Sequence, residues 1–344
     1  MIRSDLDLPA WAKFNLKHMS DRSAHTHTPK MFYLKSTLGA FIELILLFWG
    51  CATVKTAATF NDRPIIGILA QDTNSPYGKT YISATYVKFM EQAGARVVPI
   101  RGGQPLEYYG QMVNYTNGIL IPGGSVNLNT SLLGRSARII YDLVIQANDR
   151  GDYYPLWGTC MGFQVLCFLT QGENLLKGTD SNNASWPLNF TSGFRKSRMF
   201  GYAPEEIIQI LAQQPVTQNE HSYSILLPDF ENSKLSKFFS KLSTNLDRKG
   251  KEFISTVEAK NYPIYGVQWH PEKNNFNWNP NYVINHNRDA VKVSQYMSDF
   301  FVNESRKNLH KFPTVHDEAV NMIQNFKRVY YPDNTFFDFY FPDL

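Results

Sequence analysis

The chain contains 344 residues, of which 43% are hydrophobic and 14% are aromatic. This composition excludes an intrinsically disordered protein, and the length suffices for one large globular domain with appendages. The formal net charge of only +4 excludes the strongly basic surface that nucleic-acid binding requires.

The N-terminal part of the sequence is typical of a secreted protein. Residues 38–52 form an apolar run of the length of a signal-peptide core, with Lys30 and Lys35 before it and small residues after it. The run is too short to span a bilayer comfortably. We therefore predict an N-terminal extension with a signal peptide over residues 1–58, with Met31 as an alternative initiator, and no membrane span after its removal. A buried core helix is the alternative interpretation of the run.

Five Asn-x-Ser/Thr tripeptides agree with a secretory route, because such sites accept glycans in secreted proteins. They predict glycosylation at Asn114, Asn129, Asn183, Asn189 and Asn303. Together with the signal peptide, they predict a lysosomal and extracellular location.

The chain has three cysteines, of which Cys51 lies at the edge of the predicted signal peptide. Cys160 and Cys167 lie seven positions apart in one predicted element, so geometry disfavours a disulfide between them. A free thiol in a chain bound for an oxidising compartment is therefore a candidate functional group.

Strands and helices alternate through the first half of the chain. Short β-branched runs predict strands at 64–70, 95–100, 118–124 and 155–160. Helical periodicity predicts helices at 81–94, 105–115 and 132–149. This alternation predicts an α/β fold with a largely parallel sheet.

The second half of the chain is more mixed. Predicted strands fall at 222–227, 252–259 and 263–269, and predicted helices at 205–213, 232–242, 288–307 and 316–328. The most economical division is one catalytic domain over residues 62–308, followed by a C-terminal extension over residues 309–344.

Cys160 stands where a predicted buried strand passes directly into a helix. Gly158 and Gly162 flank it, and this is the pattern of a nucleophile elbow, in which small residues let the chain turn sharply. The turn would expose the sulfur above the carboxyl edge of the sheet, and the helix N-terminus would favour a negative charge on it. The alternative is a buried structural cysteine, the commonest state of a free cysteine.

A cysteine nucleophile needs a base, and His270 is the best placed histidine. It ends a predicted apolar strand, and Glu272 could accept a hydrogen bond from the ring and fix its tautomer. Gly124 ends the predicted strand before the elbow. Its backbone N–H and that of Met161 would stabilise the oxyanion of a tetrahedral intermediate.

These segments resemble a known family. Similarity to the class I glutamine-amidotransferase-like hydrolases is carried by LIPGGSV, WGTCMGFQ and YGVQWHPEK. Within that group the chain resembles the gamma-glutamyl hydrolase family from about residue 64 to about residue 310. The resemblance implies a flavodoxin-like, mostly parallel sheet flanked by helices. It also implies Cys160 as nucleophile, His270 as general base and proton donor, and Glu272 as the residue that orients His270.

The resemblance further implies substrate contacts from His221 and Gln164. His221 falls where the family has a histidine near the substrate, and Gln164 stands at a pocket-facing helix position where some relatives have Glu. The implied reaction is hydrolysis of γ-glutamyl amide bonds in folate and antifolate poly-γ-glutamates through a thioester. A homodimer is implied by the resemblance alone. No metal and no organic cofactor is expected, because no His, Cys and Asp cluster has ligand spacing.

Two other functions remain open. A glutaminase that passes ammonia to a synthetase would use the same three residues, but the secretory features and the lack of an ATP-binding pattern count against it. A non-catalytic binding protein of the same fold would have no reason to keep Cys160, His270 and the two glycine pairs. These pairs are Gly123 with Gly124 and Gly158 with Gly162.

Overall fold

A central sheet of eight strands organises the protein. The computed structural model describes residues 60–331 and 337–343, so the predicted signal peptide and extension over residues 1–58 lie outside the described residues. In the described ranges the strands are β1 (Ile65–Leu69), β2 (Gln71–Asp72), β3 (Thr80–Ser83), β4 (Arg96–Ile100), β5 (Gly118–Ile121), β6 (Leu156–Thr159), β7 (Lys177–Trp186), β8 (Asn189–Phe190), β9 (Thr217–Ser224), β10 (Phe239–Leu246), β11 (Glu252–Ala259), β12 (Ile264–Val267), β13 (Lys327–Tyr331) and β14 (Phe337–Phe341).

Helices connect and cover these strands. In the same ranges they are α1 (Ala84–Glu91), α2 (Leu106–Tyr115), α3 (Leu132–Asp149), α4 (Met161–Gln171), α5 (Arg198–Gly201), α6 (Glu205–Gln213), α7 (Leu227–Glu231), α8 (Leu235–Phe238), α9 (Lys273–Phe276), α10 (Arg288–Ser305) and α11 (Val315–Asn321). Side chains that accept a hydrogen bond from a first-turn backbone N–H fix where five of them begin. These capping residues are Ser83, Ser131, Ser197, Asn287 and Thr314.

The strands of the central sheet lie in the order β4-β1-β5-β6-β12-β11-β10-β8. The first five run parallel to one another, and the last three continue the sheet in antiparallel pairing. The predicted α/β fold with a mostly parallel sheet flanked by helices is therefore confirmed. The carboxyl ends of β5, β6 and β12 meet at one edge, where open α/β sheets place their ligands.

Two apolar layers enclose the parallel part of the sheet. Successive side chains of a strand point to opposite faces, so Ile65 packs in one buried cluster and Ile66 in the other. Leu156 and Trp157 divide between the clusters in the same way. This burial on both faces explains why the parallel strands read as continuous apolar runs in the sequence.

Three predictions for the second half were wrong in part. Residues 239–242, predicted as the end of a helix, open β10, where pairing with β11 outweighs the local helical pattern. The strand predicted at 222–227 ends at Ser224, and helix α7 begins at Leu227. The helix predicted at 316–328 ends at Asn321, and its last two positions open β13.

The described residues of the C-terminal segment belong to the same compact unit as the central sheet. There β13 and β14 form a hairpin that continues onto β3 and β2 in a second, four-stranded sheet. The domain boundary at residue 308 stays a prediction. No helix in the described ranges combines the length and the apolar character of a bilayer span.

Candidate active site

Cys160 occupies a sharp turn between β6 and α4. Its φ of 52° and ψ of −108° lie in a region that residues with a Cβ avoid, which stores backbone strain at this position. A Cβ on Gly162 would come within 2.0 Å of the carbonyl oxygen of Ile121, and one on Gly158 within 2.6 Å of the backbone of Gly162. The flanking glycines are therefore required for the turn, as an elbow demands.

The two described cysteines occupy different surroundings. Cys167 packs in the apolar core, and burial raises the pKa of its thiol. Cys160 belongs to neither apolar cluster and lines a cavity of about 940 Å³. Its Sγ lies 3.8 Å from the carbonyl oxygen of Glu220. Of the two thiols, only that of Cys160 therefore borders a space that a substrate could enter.

His270 reaches the same cavity from the end of β12. Its backbone N–H donates to the carbonyl of Gln218 at 2.8 Å, which fixes the chain beyond the strand. Its Nδ1 lies 2.6 Å from Oε1 of Glu272. Both side chains are buried, so salt screens their electrostatic interaction much less than it would at the surface.

Cys160 and His270 meet above Gly123, in the loop after β5. A Cβ on Gly123 would lie 2.7 Å from Cε1 of His270 and 3.1 Å from Cβ of Cys160. The two side chains are close enough that Cys160 raises the pKa of His270. The carboxyl ends of β5, β6 and β12 thus bring together the three predicted residues Cys160, His270 and Glu272.

The charges around His270 act in opposite directions on its pKa. Burial, the largest influence, and the ammonium of Lys273 lower the pKa of His270, whereas the Glu272 carboxylate and a Cys160 thiolate raise it. The raising contributions prevail and bring the pKa of His270 to about 9. The protonated form of His270 is therefore favoured at neutral pH.

Gly124 and Met161 lie side by side, as the predicted oxyanion site requires. A Cβ on Gly124 would lie 3.0 Å from Cε of Met161, and Sδ of Met161 accepts a hydrogen bond from the N–H of Val126 at 3.2 Å. In the described part of the chain, neither the Gly124 nor the Met161 N–H donates to another protein group. Both donors are therefore available to a ligand.

Two residues that the sequence did not single out hold the loop of Gly123. The amide of Gln71, just beyond β1, donates to the carbonyl of Gly123 at 2.9 Å. The hydroxyl of Tyr86 accepts from the N–H of Gly123 at 2.8 Å and lies 3.4 Å from Nδ1 of His270. Gln71 could have been found from the sequence, because a polar residue just after a parallel strand is a candidate for the ligand-binding edge of the sheet. Tyr86 could not have been found in this way, because its position in α1 has the spacing of a buried core residue.

The two predicted substrate-binding residues line the cavity, and most of their polar groups have a hydrogen-bond partner in the protein. The ring nitrogens of His221 lie 3.0 Å from Asn219 Oδ1 and 3.0 Å from Ser224 Oγ. Burial, and then the charge of His270, lower the pKa of His221 to about 3, so its ring is neutral. Nε2 of Gln164 donates to the carbonyl of Tyr223 at 2.8 Å, and no bond to its Oε1 occurs among the described residues.

Lys273 is the single Lys or Arg among the described residues that line the cavity. Its ammonium lies 3.9 Å from a carboxylate oxygen of Glu220 and 5.0 Å from the ring centroid of Tyr282. The described ranges contain no group of three His, Cys, Asp or Glu side chains that could hold a metal ion. The cavity therefore offers a thiol, an imidazole, two neighbouring backbone N–H donors and one lysine ammonium group.

The predicted glycosylation sites differ in exposure. Asn183 is only partly exposed, and its amide nitrogen donates to the carbonyl of Asn281 at 3.0 Å. The other four side chains are exposed, at Asn114, Asn129, Asn189 and Asn303. All five stay predictions, with Asn183 the least accessible.

Comparison with known proteins places this site in a family context. The Peptidase C26 family profile matches residues 64–272, a range that includes Cys160, His270 and Glu272. The chain is 46% identical to "Gamma-glutamyl hydrolase" of Homo sapiens over 83% of this chain and 92% of that protein. It is 42% identical to "Gamma-glutamyl hydrolase B" of Dictyostelium discoideum over 84% of each chain. Among solved structures, it is similar to the glutaminase domain of Trypanosoma brucei CTPS with a TM-score of 0.47 and 14% identity, over 73% of this chain and 96% of that one.

Proposed function

The chain belongs to the Peptidase C26 family, the family of the gamma-glutamyl hydrolases, and on this premise we propose that Cys160, His270 and Glu272 cleave folate poly-γ-glutamates through a thioester. It is a cysteine-type hydrolase of γ-glutamyl bonds. The finer proposal is supported above all by one observation, the meeting of the Cys160 and His270 side chains above Gly123 at the edge of the cavity.

The first half of the reaction forms the thioester. With the proton of Cys160 already on the ring nitrogen of His270 that faces away from Glu272, the sulfur attacks the γ-carbonyl carbon. The carbonyl oxygen becomes an oxyanion that the N–H groups of Gly124 and Met161 receive. When the C–N bond breaks, the imidazolium returns its proton to the leaving α-amine of the next glutamate.

The second half releases the acyl group. His270, now neutral, removes a proton from a water molecule, which attacks the thioester carbon. The C–S bond breaks, the γ-carboxylic acid leaves, and the sulfur again stands beside the protonated ring of His270. Glu272 stabilises the imidazolium in both halves because its carboxylate lies 2.6 Å from Nδ1.

The size of the cavity suits an extended substrate. A volume of about 940 Å³ lies near the upper end of the roughly 300–1,000 Å³ of pockets that hold drug-sized ligands. A single glutamine would leave much of this space unfilled. Lys273, the single Lys or Arg among the described residues of the wall, would pair with the α-carboxylate of the glutamate at the scissile bond. Folate and antifolate poly-γ-glutamates are therefore the proposed substrates, delivered to a secreted or lysosomal homodimer.

Glutamate release from pteroylpentaglutamate and from free glutamine tests this proposal. We expect release from the first substrate, little from the second, and none from either with Cys160→Ala. Cys167→Ala is the matched control, because it removes the other described thiol from the apolar core and should leave the rate unchanged. Acid quenching during turnover should yield an acylated peptide that contains Cys160, detected by mass spectrometry.

The rival functions give different results in the same assay. A glutaminase would release ammonia from glutamine faster than glutamate from the pentaglutamate. A non-catalytic binding protein would bind the pentaglutamate and release nothing, with no difference between wild type and Cys160→Ala. Either result would refute the proposed reaction.

A further inference from the structure

The C-terminal hairpin is fixed to the part of the chain that leads into the active site. In the antiparallel pairing of β14 with β3, Phe339 stands opposite Ser83 and Tyr340 opposite Ile82. One carboxylate oxygen of Asp343 accepts from both the N–H and the hydroxyl of Thr80, at 2.7 and 2.6 Å. The hairpin is therefore held at both the strand and its C-terminal end.

The strand that carries the hairpin continues directly into the catalytic surroundings. Ser83 caps α1, and Tyr86, three residues later, reaches Gly123 and His270 with its hydroxyl. Three residues of helix correspond to about 4.5 Å along the axis. Ser83, the residue opposite Phe339, therefore stands roughly one helical turn from Tyr86.

Phe339 is part of the wall of the cavity that contains Cys160. It is the single phenylalanine among the described residues of that wall, and its side chain is partly exposed. Its ring packs edge to face on that of Tyr81, another wall residue, with 4.9 Å between centroids. The two rings form an aromatic surface in a cavity whose other described residues include many polar and charged side chains.

We propose that Phe339, supported by Tyr81, is a specificity-determining residue that receives the aromatic pteroyl part of a folate polyglutamate. This inference rests on the proposed function and deepens it. Aromatic rings pack favourably on one another in offset or edge-to-face geometry, whereas γ-glutamyl units carry no ring. In these substrates the pteroyl group lies on the acyl side of the scissile bond. Phe339 therefore acts on the acyl half of the substrate and biases how many glutamates remain on the pteroyl product.

Comparison of two substrates tests the proposal. One is pteroylpentaglutamate, and the other is a penta-γ-glutamate without the pteroyl group. Phe339→Ala should raise KM for the pteroyl substrate about tenfold, the scale of one lost aromatic contact with its buried area, and leave kcat nearly unchanged. KM for the unsubstituted pentaglutamate should not change. The ratio of pteroyl products of different chain length should also shift.

Two variants and one binding measurement separate specificity from structure. Tyr330→Ala is the matched control, because Tyr330 is an exposed aromatic residue on the other strand of the same hairpin. It should behave as wild type on both substrates. Phe339→Trp should restore a low KM for the pteroyl substrate. Equal losses on both substrates with Phe339→Ala, or no loss on either, would overturn the proposal.

Binding in the absence of turnover distinguishes this inference from the proposed function. Pteroylmonoglutamate should bind the Cys160→Ala protein, and the second substitution Phe339→Ala should weaken that binding about tenfold. If wild type cleaves neither substrate, the proposed function fails, yet this binding difference still decides whether Phe339 recognises the aromatic group. An unchanged Kd in the double variant would refute the role of Phe339 even in an active enzyme.

Discussion

Nδ1 of His270 lies 2.6 Å from Oε1 of Glu272, and both side chains are buried at the edge of the sheet. The second carboxylate oxygen of Glu272 is buried without a hydrogen-bond partner among the described residues. Its charge is therefore compensated mainly by the imidazolium. This pairing keeps His270 protonated against the cost of burial, and in the proposed reaction that proton passes to the leaving amine.

Glu272→Gln should move the alkaline limb of the kcat profile to lower pH. The pKa of His270 is raised to about 9 in part by the Glu272 carboxylate, so wild-type activity should persist below that pH and be lost as the pH rises through it. The amide keeps an oxygen near Nδ1 but removes the charge. We expect kcat at neutral pH to fall about 10²-fold, within the range for general acid–base catalysis. An alkaline limb at the wild-type position would contradict the role given to Glu272. Glu205→Gln, an exposed surface change, is the control.

Lys273→Met should weaken substrate binding and move the alkaline limb of the pH profile to higher pH. Loss of the ammonium removes the partner of the α-carboxylate, so KM should rise about 10- to 100-fold, the equivalent of the roughly 1.5–3 kcal/mol of a hydrogen bond to a charged group. Because Lys273 lowers the pKa of His270, its loss should also shift the alkaline limb to higher pH.

A substrate whose α-carboxylate is replaced by a carboxamide completes that experiment. Wild type and Lys273→Met should show similar KM values for it, while the shift in the alkaline limb should remain. If the substitution raised KM equally for both substrates, Lys273 would affect the shape of the cavity and would not pair with the α-carboxylate.

Much of this site could be predicted because its residues sit at ends of strands. The strands before Cys160 and His270 are buried on both faces and read as apolar runs, and a parallel sheet brings their carboxyl ends to one edge. Tyr86 and Phe339 could not be found in this way. Tyr86 is a helix residue whose spacing fits the core, and Phe339 reaches the cavity only through pairing with Ser83, 256 residues earlier (339 − 83). Nothing local in the sequence specifies that pairing.

His221 shows a different limit of the sequence. The family resemblance implied a histidine near the substrate, and His221 lies on the cavity wall, but both of its ring nitrogens have protein partners. Those partners, Asn219 and Ser224, lie within three residues along the same strand. Side-chain hydrogen bonds along an irregular strand depend on register shifts, which are present in the pairing of β7 with β9 and are invisible in composition or periodicity.

Tyr86→Phe should lower both stability and kcat. The buried N–H of Gly123 would lose its acceptor, which costs about 1–3 kcal/mol in the free energy of unfolding. The loop that carries the Gly124 N–H would be held by Gln71 alone, so kcat should fall more than substrate affinity. Urea unfolding and steady-state kinetics on the same preparation measure the two effects. Unchanged stability would show that water replaces the hydroxyl as acceptor.

Cys160→Gly should yield an inactive protein that is more stable than Cys160→Ala. The backbone at this position has φ 52° and ψ −108°, a conformation that costs a residue with a Cβ about 1–3 kcal/mol. Glycine relieves this strain, and its extra freedom in the unfolded chain, about 0.5–1 kcal/mol, offsets only part of the gain. Cys167 provides the matched control within α4, where the backbone is helical and glycine is disfavoured against alanine by about 1 kcal/mol. The order of stability should therefore be glycine above alanine at position 160 and alanine above glycine at position 167, as measured by urea unfolding. The same order at both positions would mean that the elbow holds no strain, and that the position of the sulfur is maintained by packing alone.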